Sequence, residues 1–395
     1  MKKGWTYKKL GEICRIGIGR TPSRSDMSLW DKNKETHNYW VSIADMGATE
    51  NGYIADTKEY ISDKAAENIQ IIPKGTLLLS FKLTLGKTAI AGTDLYTNEA
   101  IANLPFIGNE VNREFLSYYF QFFNWEKFSA GDEKVLGKTL NKKKLDVLPV
   151  YYPSIKEQKR IVERLDAAFA QIDELKANAE KQLAEARVLF QKALAKAMEP
   201  KEGWEEKSLS EVCDVNRGRS KHRPRNDKRL FGGPYPFIQT GDIRNAQGGE
   251  IKEYSQTYSE FGLSQSKLWK KGTICITIAA NIGETAILGF DACFPDSIVG
   301  IHPDETVLDT LFLNFFLLSI KKDIDSQSYG TAQKNINLEV LNNIIMRIPP
   351  LSEQQRIVER LDSISEKVRK YEEIQRKIIA ECDALKQALL RQVFE

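Results

Sequence analysis

The seven residues Arg160–Asp166, RIVERLD in one-letter code, recur letter for letter at Arg356–Asp362. Each copy lies near the start of a 45-residue segment without glycine or proline, residues 154–198 and 351–395. Because glycine and proline are the residues that break helices, both segments are predicted to form long helices. At ~1.5 Å per residue, 45 helical residues span roughly 67 Å, which is too long for a helix on one small domain.

Both predicted helices carry an apolar stripe with alternating steps of four and three residues. Each start also has capping-box spacing, Ser154 with Glu157 and Ser352 with Gln355. The first stripe is Ile161, Leu165, Ala168, Ile172, Leu175, Ala179, Gln182, Ala186, Leu189 and Ala193. The second is Ile357, Leu361, Ile364, Val368, Tyr371, Gln375, Ile378, Cys382, Leu385 and Leu389. Such heptads favour a coiled coil between the two helices. The alternative is that each helix covers the side of its own domain.

The duplication extends outward from the helices over the whole chain. Gly4–Cys14 aligns without gaps to Gly203–Cys213, 199 residues later. Farther on, Lys74–Leu77 matches Lys271–Ile274 at a separation of 197 residues, and the RIVERLD copies lie 196 residues apart. A separation that drifts so little across half of the chain indicates an internal repeat rather than two unrelated domains.

Each half begins with about 150 residues of mixed pattern. The apolar runs 75–81 and 272–278 predict buried strands, and 114–120 and 311–318 predict short helices. We therefore predict a first mixed domain over 1–153, a long helix over 154–199, a second mixed domain over 200–350 and a second long helix over 351–395. The predicted fold class is α+β: two similar mixed α/β domains, separated by an antiparallel coiled coil with approximate two-fold symmetry.

The composition is that of an ordinary globular protein. The 395 residues are 42% hydrophobic and 28% charged, with a formal net charge of +3. No run of 18 apolar residues and no secretory signal occur, so we expect a cytoplasmic protein without a membrane partner. Five scattered cysteines and three histidines lack metal-ligand spacing, which predicts reduced thiols and no metal site.

Catalytic signatures are missing from the sequence. It contains no phosphate-binding loop, no HExxH zinc motif, no GxSxG elbow and no Asn/Asp-Pro-Pro-aromatic tetrad of an amino-methyltransferase. Asp45 and Asp242 recur in both halves, but neither has the second acid and lysine that a nuclease site needs. We interpret them as turn or helix-cap residues, and we predict that the chain is not itself an enzyme.

The sequence supports binding of nucleic acid better than it supports an intrinsic catalytic site. Seven of the thirteen residues 217–229 are lysine or arginine, which favours a loop that attracts phosphates over a merely solvated loop. Amide and hydroxyl side chains can read base edges, and three of them adjoin repeated strand motifs. These three, Gln239, Thr240 and Asn281, are candidate base contacts, with ordinary turn residues as the alternative.

Several motifs together resemble the specificity subunits of type I restriction-modification systems. In the first half they are Gly19–Ser23, Tyr39–Val41, Gly86–Lys87, Gly137–Thr139 and Glu157–Val162. The second half resembles the family at Pro349–Val358 and at Leu385–Arg391.

The resemblance implies that each domain reads one half of a split, asymmetric site in double-stranded DNA. It also implies docking of two copies of a modification methyltransferase subunit and of a restriction (motor-nuclease) subunit. The chain would hold no cofactor, and S-adenosylmethionine would bind the modification subunit. The alternatives are a coiled-coil scaffold without DNA specificity and a self-sufficient methyltransferase or nuclease. With the resemblance included, the candidate DNA contacts are Arg20, Thr21, Arg24, Lys87, Lys138, Arg217, Arg219, Lys221, Arg223, Arg225, Gln239, Thr240 and Asn281.

Overall fold

The computed structural model describes residues 4–47, 52–131, 133–134, 137–246, 248–279, 281–326 and 336–395, with the backbone alone at 133–134, 137–138 and 326. The chain divides into two compact units. The first comprises Met1–Ala179 with Lys377–Glu395, and the second comprises Glu180–Arg376. Each unit therefore contains one mixed domain together with a stretch of both long helices.

The elements of the first half alternate short strands with short helices before one long helix. Its strands are β1 (Thr6–Lys9), β2 (Gly17–Ile18), β3 (Trp30–Asp31), β4 (Tyr39–Val41), β5 (Tyr53–Ile54), β6 (Glu59–Ile61), β7 (Leu77–Ser80), β8 (Lys82–Leu83), β9 (Thr88–Ala91), β10 (Tyr96–Thr97), β11 (Ile101–Leu104), β12 (Glu133–Lys134), β13 (Gly137–Thr139) and β14 (Pro149–Tyr152). Its helices are α1 (Leu10–Ile13), α2 (Asp63–Ala66), α3 (Arg113–Phe122), α4 (Trp125–Phe128), α5 (Lys142–Asp146) and α6 (Ile155–Ala197).

The second half follows the same plan. Its strands are β15 (Glu205–Ser208), β16 (Cys213–Arg217), β17 (Phe231–Phe237), β18 (Glu250–Ile251), β19 (Gln256–Tyr258), β20 (Ile274–Thr277), β21 (Thr285–Leu288), β22 (Ile298–Pro303) and β23 (Ile345–Ile348). Its helices are α7 (Leu209–Val212), α8 (Thr240–Ala246), α9 (Glu260–Ser264), α10 (Thr310–Ser319), α11 (Lys321–Ser326), α12 (Leu338–Asn342) and α13 (Leu351–Phe394).

A five-stranded sheet forms the centre of each domain, and the strand order is the same in both. The order is β2-β11-β7-β9-β5 in the first domain and β16-β22-β20-β21-β18 in the second. In each sheet the last pair, β5 with β9 or β18 with β21, is parallel and the other pairs are antiparallel. The repeat in the sequence is thus a repeat of topology.

The central strands are buried on both faces, which explains their unbroken apolar sequence. All four residues of β7 and all four of β20 are buried. In β7, Leu77 and Leu79 pack in the same core as Phe115 of α3, whereas Leu78 packs in a second core with Val41. In the second domain the matching core joins β20 to α10. The two faces of each central sheet therefore pack against different hydrophobic cores.

A buried glutamine joins the start of each long helix to its own domain. The Gln158 Nε2 atom donates to the carbonyls of Glu110 (2.9 Å) and Pro153 (2.8 Å), and its Oε1 atom accepts from the Asn112 N–H (2.8 Å). Gln354 makes the same three bonds to Val307, Pro349 and the Asp309 N–H at 2.9, 2.8 and 2.7 Å. Since Asn112 and Asp309 cap α3 and α10, each glutamine couples two helix starts.

The long helices pair antiparallel within each unit. In the first unit, Asp173 bonds to Lys386 and Lys176 bonds to Asp383 at 2.7 Å, so the residue numbers run in opposite directions. In the second unit, Arg187 pairs with Glu372 at 3.0 Å, and Lys201, beyond the end of α6, pairs with Glu353 at 2.7 Å. The predicted fold class, two similar mixed domains with two antiparallel long helices, is confirmed.

The end of α13 packs into the core of the first domain. The Phe394 ring stacks on Phe122 at a centroid distance of 5.5 Å and lies 5.4 Å from Phe115 and 6.1 Å from Trp5. In the second unit, Leu194 near the end of α6 is fully buried in the core that contains Phe312. Each mixed domain thus packs against the start of one long helix and the end of the other.

Five of the twenty predicted stripe positions are wrong, three in α6 and two in α13. Leu175, Leu189, Tyr371 and Leu385 are between 39% and 62% exposed, and Gln182 is also exposed. In α6 the buried or half-buried positions run through Ile172, Lys176, Ala179, Leu183, Ala186 and Phe190. The observed stripe in α6 thus keeps Ala179 and Ala186 but contains Lys176, Leu183 and Phe190 in place of Leu175, Gln182 and Leu189.

The predicted capping role of Ser352 in α13 is also wrong, although the helix starts at the predicted residue. The helix begins at Leu351, directly after Pro350, and the Glu353 N–H donates to the Pro350 carbonyl at 2.8 Å. Ser352 therefore lies inside the helix and is not its cap. At the start of α6, by contrast, Ser154 Oγ accepts from the Glu157 N–H at 3.4 Å.

All five cysteines are free thiols, as predicted. In the described part of the chain, no helix is long and apolar enough to cross a membrane, and no group of histidine, cysteine and acidic residues is arranged to hold a metal ion.

Candidate nucleic-acid interface

A glycine-arginine pair occupies the same position in both domains. The Arg20 N–H donates to the Thr97 carbonyl at 2.8 Å, and the Arg219 N–H donates to the Phe294 carbonyl at 3.1 Å. A Cβ atom on Gly19 or on Gly218 would lie 2.2 Å from a backbone carbonyl oxygen, so only glycine permits this approach. Both arginines are exposed, and neither guanidinium has a partner among the described residues. Each domain thus offers one uncompensated arginine at an equivalent site.

A carboxylate lies on the loop that each glycine-arginine turn contacts. Glu99 and Asp296 occupy equivalent positions, two residues before Ile101 and Ile298. In the first domain, Thr21 donates a hydrogen bond to Glu99, which holds the pKa of Glu99 below its usual range. In the second domain, the Arg225 guanidinium donates to both carboxylate oxygens of Asp296 at 2.9 Å. Predicted contacts Thr21 and Arg225 therefore both bond to the equivalent carboxylate of their domain.

Aromatic rings surround the predicted contact Arg24. Its guanidinium lies 3.9 Å from the Trp30 ring centroid and 4.8 Å from that of Trp40, and it pairs with Glu59 (Nη2 to Oε2, 3.0 Å). Trp40 is fixed in turn, because its indole N–H donates to the Arg20 carbonyl at 3.2 Å. Arg24 is thus preorganised and partly neutralised, whereas Arg20 is not.

The basic loop 217–229 is more neutralised than its sequence suggests. Arg229 and His222 bond to Asp227 at 2.7 and 2.8 Å, and these bonds hold the pKa of Asp227 far below its usual range, Arg229 contributing most. Arg223 bonds to backbone carbonyls at 2.8 Å, and Arg217 bonds to the Asp296 carbonyl. The cations of this loop without a partner in the described structure are Arg219, Lys221 and Lys228.

An open cavity of about 510 Å³ lies between the basic loop and the β17–β19 ribbon. Two predicted base contacts, Gln239 and Thr240, line it together with Arg225. Apart from Pro295, the rest of the lining is polar or aromatic: Ser220, Asn226, Phe231, Phe237, Gln256, Tyr258 and Ser297. The structure therefore brings the loop and the predicted amide together at one site.

The remaining predicted contacts are scattered. Lys87 is half-buried and lies beside Gly47, and the second half has Glu284 at its position, bonded to Lys321 at 2.7 Å. Asn281 is exposed on a turn with φ of +61°. The Lys138 side chain lies outside the described residues.

The interpretation of the repeated aspartates as turn or cap residues is confirmed. The Asp45 carboxylate accepts from the N–H (2.8 Å) and the hydroxyl (2.6 Å) of Ser42, and Asp242 accepts from the Gln239 N–H at 2.8 Å.

Comparison with known proteins decides the family. Residues 2–185 and 201–379 each match the profile of the type I restriction modification DNA specificity domain. The chain belongs to this family. As a specificity subunit it is a DNA-recognition protein and not a catalytic one, as the missing motifs predicted.

Individual relatives agree with the assignment. This specificity subunit is 32% identical over 261 residues to a predicted type I specificity subunit of Haemophilus influenzae, an alignment that spans 64% of each chain. It is 24% identical to the MjaIX specificity subunit of Methanocaldococcus jannaschii, over 93% of this chain and 88% of the relative.

Two solved structures share its fold. One, from work on complex assembly and conformational transition of the type I restriction-modification system, has a TM-score of 0.78 at 21% identity and covers 100% of this chain and 98% of its own. The other is the HsdS subunit of Thermoanaerobacter tengcongensis, with a TM-score of 0.52 at 22% identity, covering 100% of this chain and 97% of its own.

Sequence reasoning missed three residues of the site, Glu99, Asp296 and Gln256. A signal existed for the first pair, since Glu99 and Asp296 are 197 residues apart, the separation that relates other repeated strand motifs. Gln256 carried no such signal, because its role depends on strand β19 lying beside β17.

Proposed function

We propose that this specificity subunit reads a split, asymmetric sequence in double-stranded DNA, one half with each mixed domain. The observation that carries the proposal is the pair of exposed, unpartnered arginines, Arg20 and Arg219, on equivalent glycine-dependent turns. A guanidinium without an internal partner is available for a phosphate or for the O6 and N7 atoms of guanine.

The asymmetry of the target follows from the surroundings of the two arginines. Near Arg20 lie Arg24 and its tryptophans, whereas near Arg219 lie the basic loop and the open cavity. Two sites that share one arginine but differ in the remaining groups should select different bases. The two half-sites would therefore differ in sequence.

The proposal extends to the assembly in which this subunit works. Two equivalent domains and two antiparallel helix segments offer two equivalent surfaces, which would accept two copies of a modification methyltransferase subunit. That subunit would bind S-adenosylmethionine and carry out methylation, and a restriction subunit would join the same assembly. In support, relatives are named as subunits of type I restriction enzymes.

Replacing Arg20 and Arg219 one at a time tests whether each domain reads one half of the DNA target. We expect Arg20→Ala, in the complex assembled with modification subunits, to weaken selection of one half-site only, and Arg219→Ala to weaken selection of the other. Each lost base contact should reduce discrimination against the wrong base by about 1–3 kcal/mol. A lost phosphate contact should instead reduce the slope of log K for DNA binding against log salt concentration by about 0.9. Binding to DNA libraries at several salt concentrations distinguishes these results.

Arg15→Ala is the matched control, because Arg15 is an exposed arginine of the same domain outside the site. It should leave both half-sites and the salt slope unchanged. If the complexes with Arg20→Ala and with Arg219→Ala both bind every library sequence as the unmodified complex does, the proposal that these two arginines each contribute to one half-site is wrong.

A further inference from the structure

Two glutamine side chains form a hydrogen-bonded pair at the rim of the cavity in the second domain. The Gln239 Nε2 atom donates to Gln256 Oε1 at 2.6 Å. Gln239 lies two residues beyond Phe237, the end of β17, and Phe237 is directly opposite Gln256 in the register with β19. The two backbones are thus held by the sheet, and both side chains line the same open space as Arg225 and Thr240.

The pair leaves a defined set of polar atoms free. This hydrogen bond uses one N–H of Gln239 and one lone pair of the Gln256 carbonyl oxygen, so Gln239 Oε1 keeps both of its acceptor positions and Gln256 Nε2 keeps both of its N–H donors. Among the four bases, adenine presents the complementary combination in the major groove, its N6 donor beside its N7 acceptor. Guanine presents two acceptors there, cytosine a donor, and thymine an acceptor beside a methyl group.

We propose that Gln239 and Gln256 together read one adenine in the half-site of the second domain. Gln239 Oε1 accepts from adenine N6, and Gln256 Nε2 donates to adenine N7. The inference rests on the proposed function, and it adds a second amide and a named base to that site. The aromatic lining of the cavity, Phe231 and Phe237, fits the methyl group of the paired thymine.

Among its described residues, the first domain has no counterpart of this pair. Ser42 occupies the position of Gln239, and its hydroxyl is already bonded to Asp45 at 2.6 Å. Adenine recognition by paired amides is therefore specific to the second half-site, which gives the test an internal reference.

The test uses duplexes in which single adenines of the mapped target are replaced by 7-deazaadenine, which keeps N6 but lacks the N7 acceptor. We expect the assembled complex to lose affinity roughly 5- to 150-fold at one adenine of the second half-site. Gln256→Leu should bind the unmodified target more weakly and lose nothing further from the 7-deazaadenine at that position. Asn343→Leu, at an exposed amide of the same domain that does not line the cavity, should keep the full sensitivity.

Two other results would overturn the inference. Either no 7-deazaadenine in the second half-site weakens binding, or Gln256→Leu remains as sensitive as the unmodified complex. In both cases sequence-selective binding would persist, so the proposed function would stand and the glutamine pair alone would fail. A complex that binds all sequences equally would instead refute the proposed function together with this inference.

Discussion

The two mixed domains of this subunit share a backbone and differ in what that backbone presents. Both have the same five-stranded sheet order, the same glycine-arginine turn and the same buried glutamine at the helix start. Yet in the first domain this turn is followed by Arg24, which lies over Trp30 and Trp40, whereas the second domain has an open cavity lined by two amides.

The difference separates residues that hold the fold from residues that select a ligand. Gly19 and Gly218 are kept because a Cβ atom there would meet a carbonyl oxygen. Elsewhere even the sign of the charge differs between equivalent positions: the first domain has Lys87 where the second has Glu284. The recognition surface is thus free to diverge on a fixed scaffold.

The largest effect is expected where the domains are most alike, at the buried glutamines. Gln158→Leu and Gln354→Leu each remove three hydrogen bonds and leave a backbone N–H and two carbonyls without their partner. We expect each change to cost about 3 kcal/mol, and the two costs to be similar. Urea unfolding measures the cost, and hydrogen exchange over α3 and α10 shows which domain is loosened.

The control for the glutamines is Gln355→Leu, since Gln355 is the exposed neighbour of Gln354 on the same helix. It should change stability by less than about 0.5 kcal/mol. If the two buried glutamines differ from each other by more than they differ from this control, the helix starts are not equivalent.

The repeat made the fold predictable from the sequence. Motifs such as Lys74–Leu77 and Lys271–Ile274 are separated by nearly the same number of residues along the whole chain, and they correspond to strands of matching order. The exact helix seam was less predictable. A three-four stripe does not state which neighbour of Ala179 or Ala186 turns inward, because that depends on how closely the partner helix approaches.

The site was predictable only in part. Basic residues cluster in sequence at 217–229, so their loop could be identified, but its pairing with Asp296 on another loop could not. Asp296 lies 71 residues from Arg225, and Gln256 lies 17 residues from Gln239. Such pairings arise from strand packing and leave no local pattern in the sequence.

An intermediate effect is expected from the ion pairs between the two long helices, because their burial differs between the units. Glu372 is nearly buried and bonds to Arg187 (3.0 Å) and Arg376 (2.8 Å), whereas the Asp383 side chain, paired with Lys176, is 63% exposed. Glu372→Ala should cost about 1–2 kcal/mol, discounted because both arginines are half exposed. Asp383→Ala should cost at most about 0.5 kcal/mol.

Salt dependence sharpens the contrast between these two ion pairs. The effect of Asp383→Ala on the unfolding midpoint should shrink at 1 M salt, while that of Glu372→Ala should largely persist, because burial shields the second pair from ions. Glu373→Ala, at an exposed neighbour, is the control. Equal costs at Glu372 and Asp383 would show that burial does not distinguish the helix segments.

The smallest expected effect distinguishes Glu99 from Asp296, the equivalent carboxylates of the two domains. Because the Thr21 hydrogen bond lowers the pKa of Glu99 in the folded chain, it contributes stability that is present above the unfolded pKa of Glu99 and is lost as pH falls through the folded pKa. Thr21→Val should therefore raise the pKa of Glu99 and destabilise the chain by less than about 1 kcal/mol at pH 7, with the difference vanishing in acid. Ser220→Ala, the equivalent change in the second domain, should not reproduce this pH dependence, since Asp296 takes its bonds from Arg225 instead. Urea unfolding of both variants between pH 3 and pH 7 measures the difference. A pH-independent cost for Thr21→Val, or an equal pH dependence for Ser220→Ala, would mean that the hydroxyl does not stabilise the charged form of Glu99.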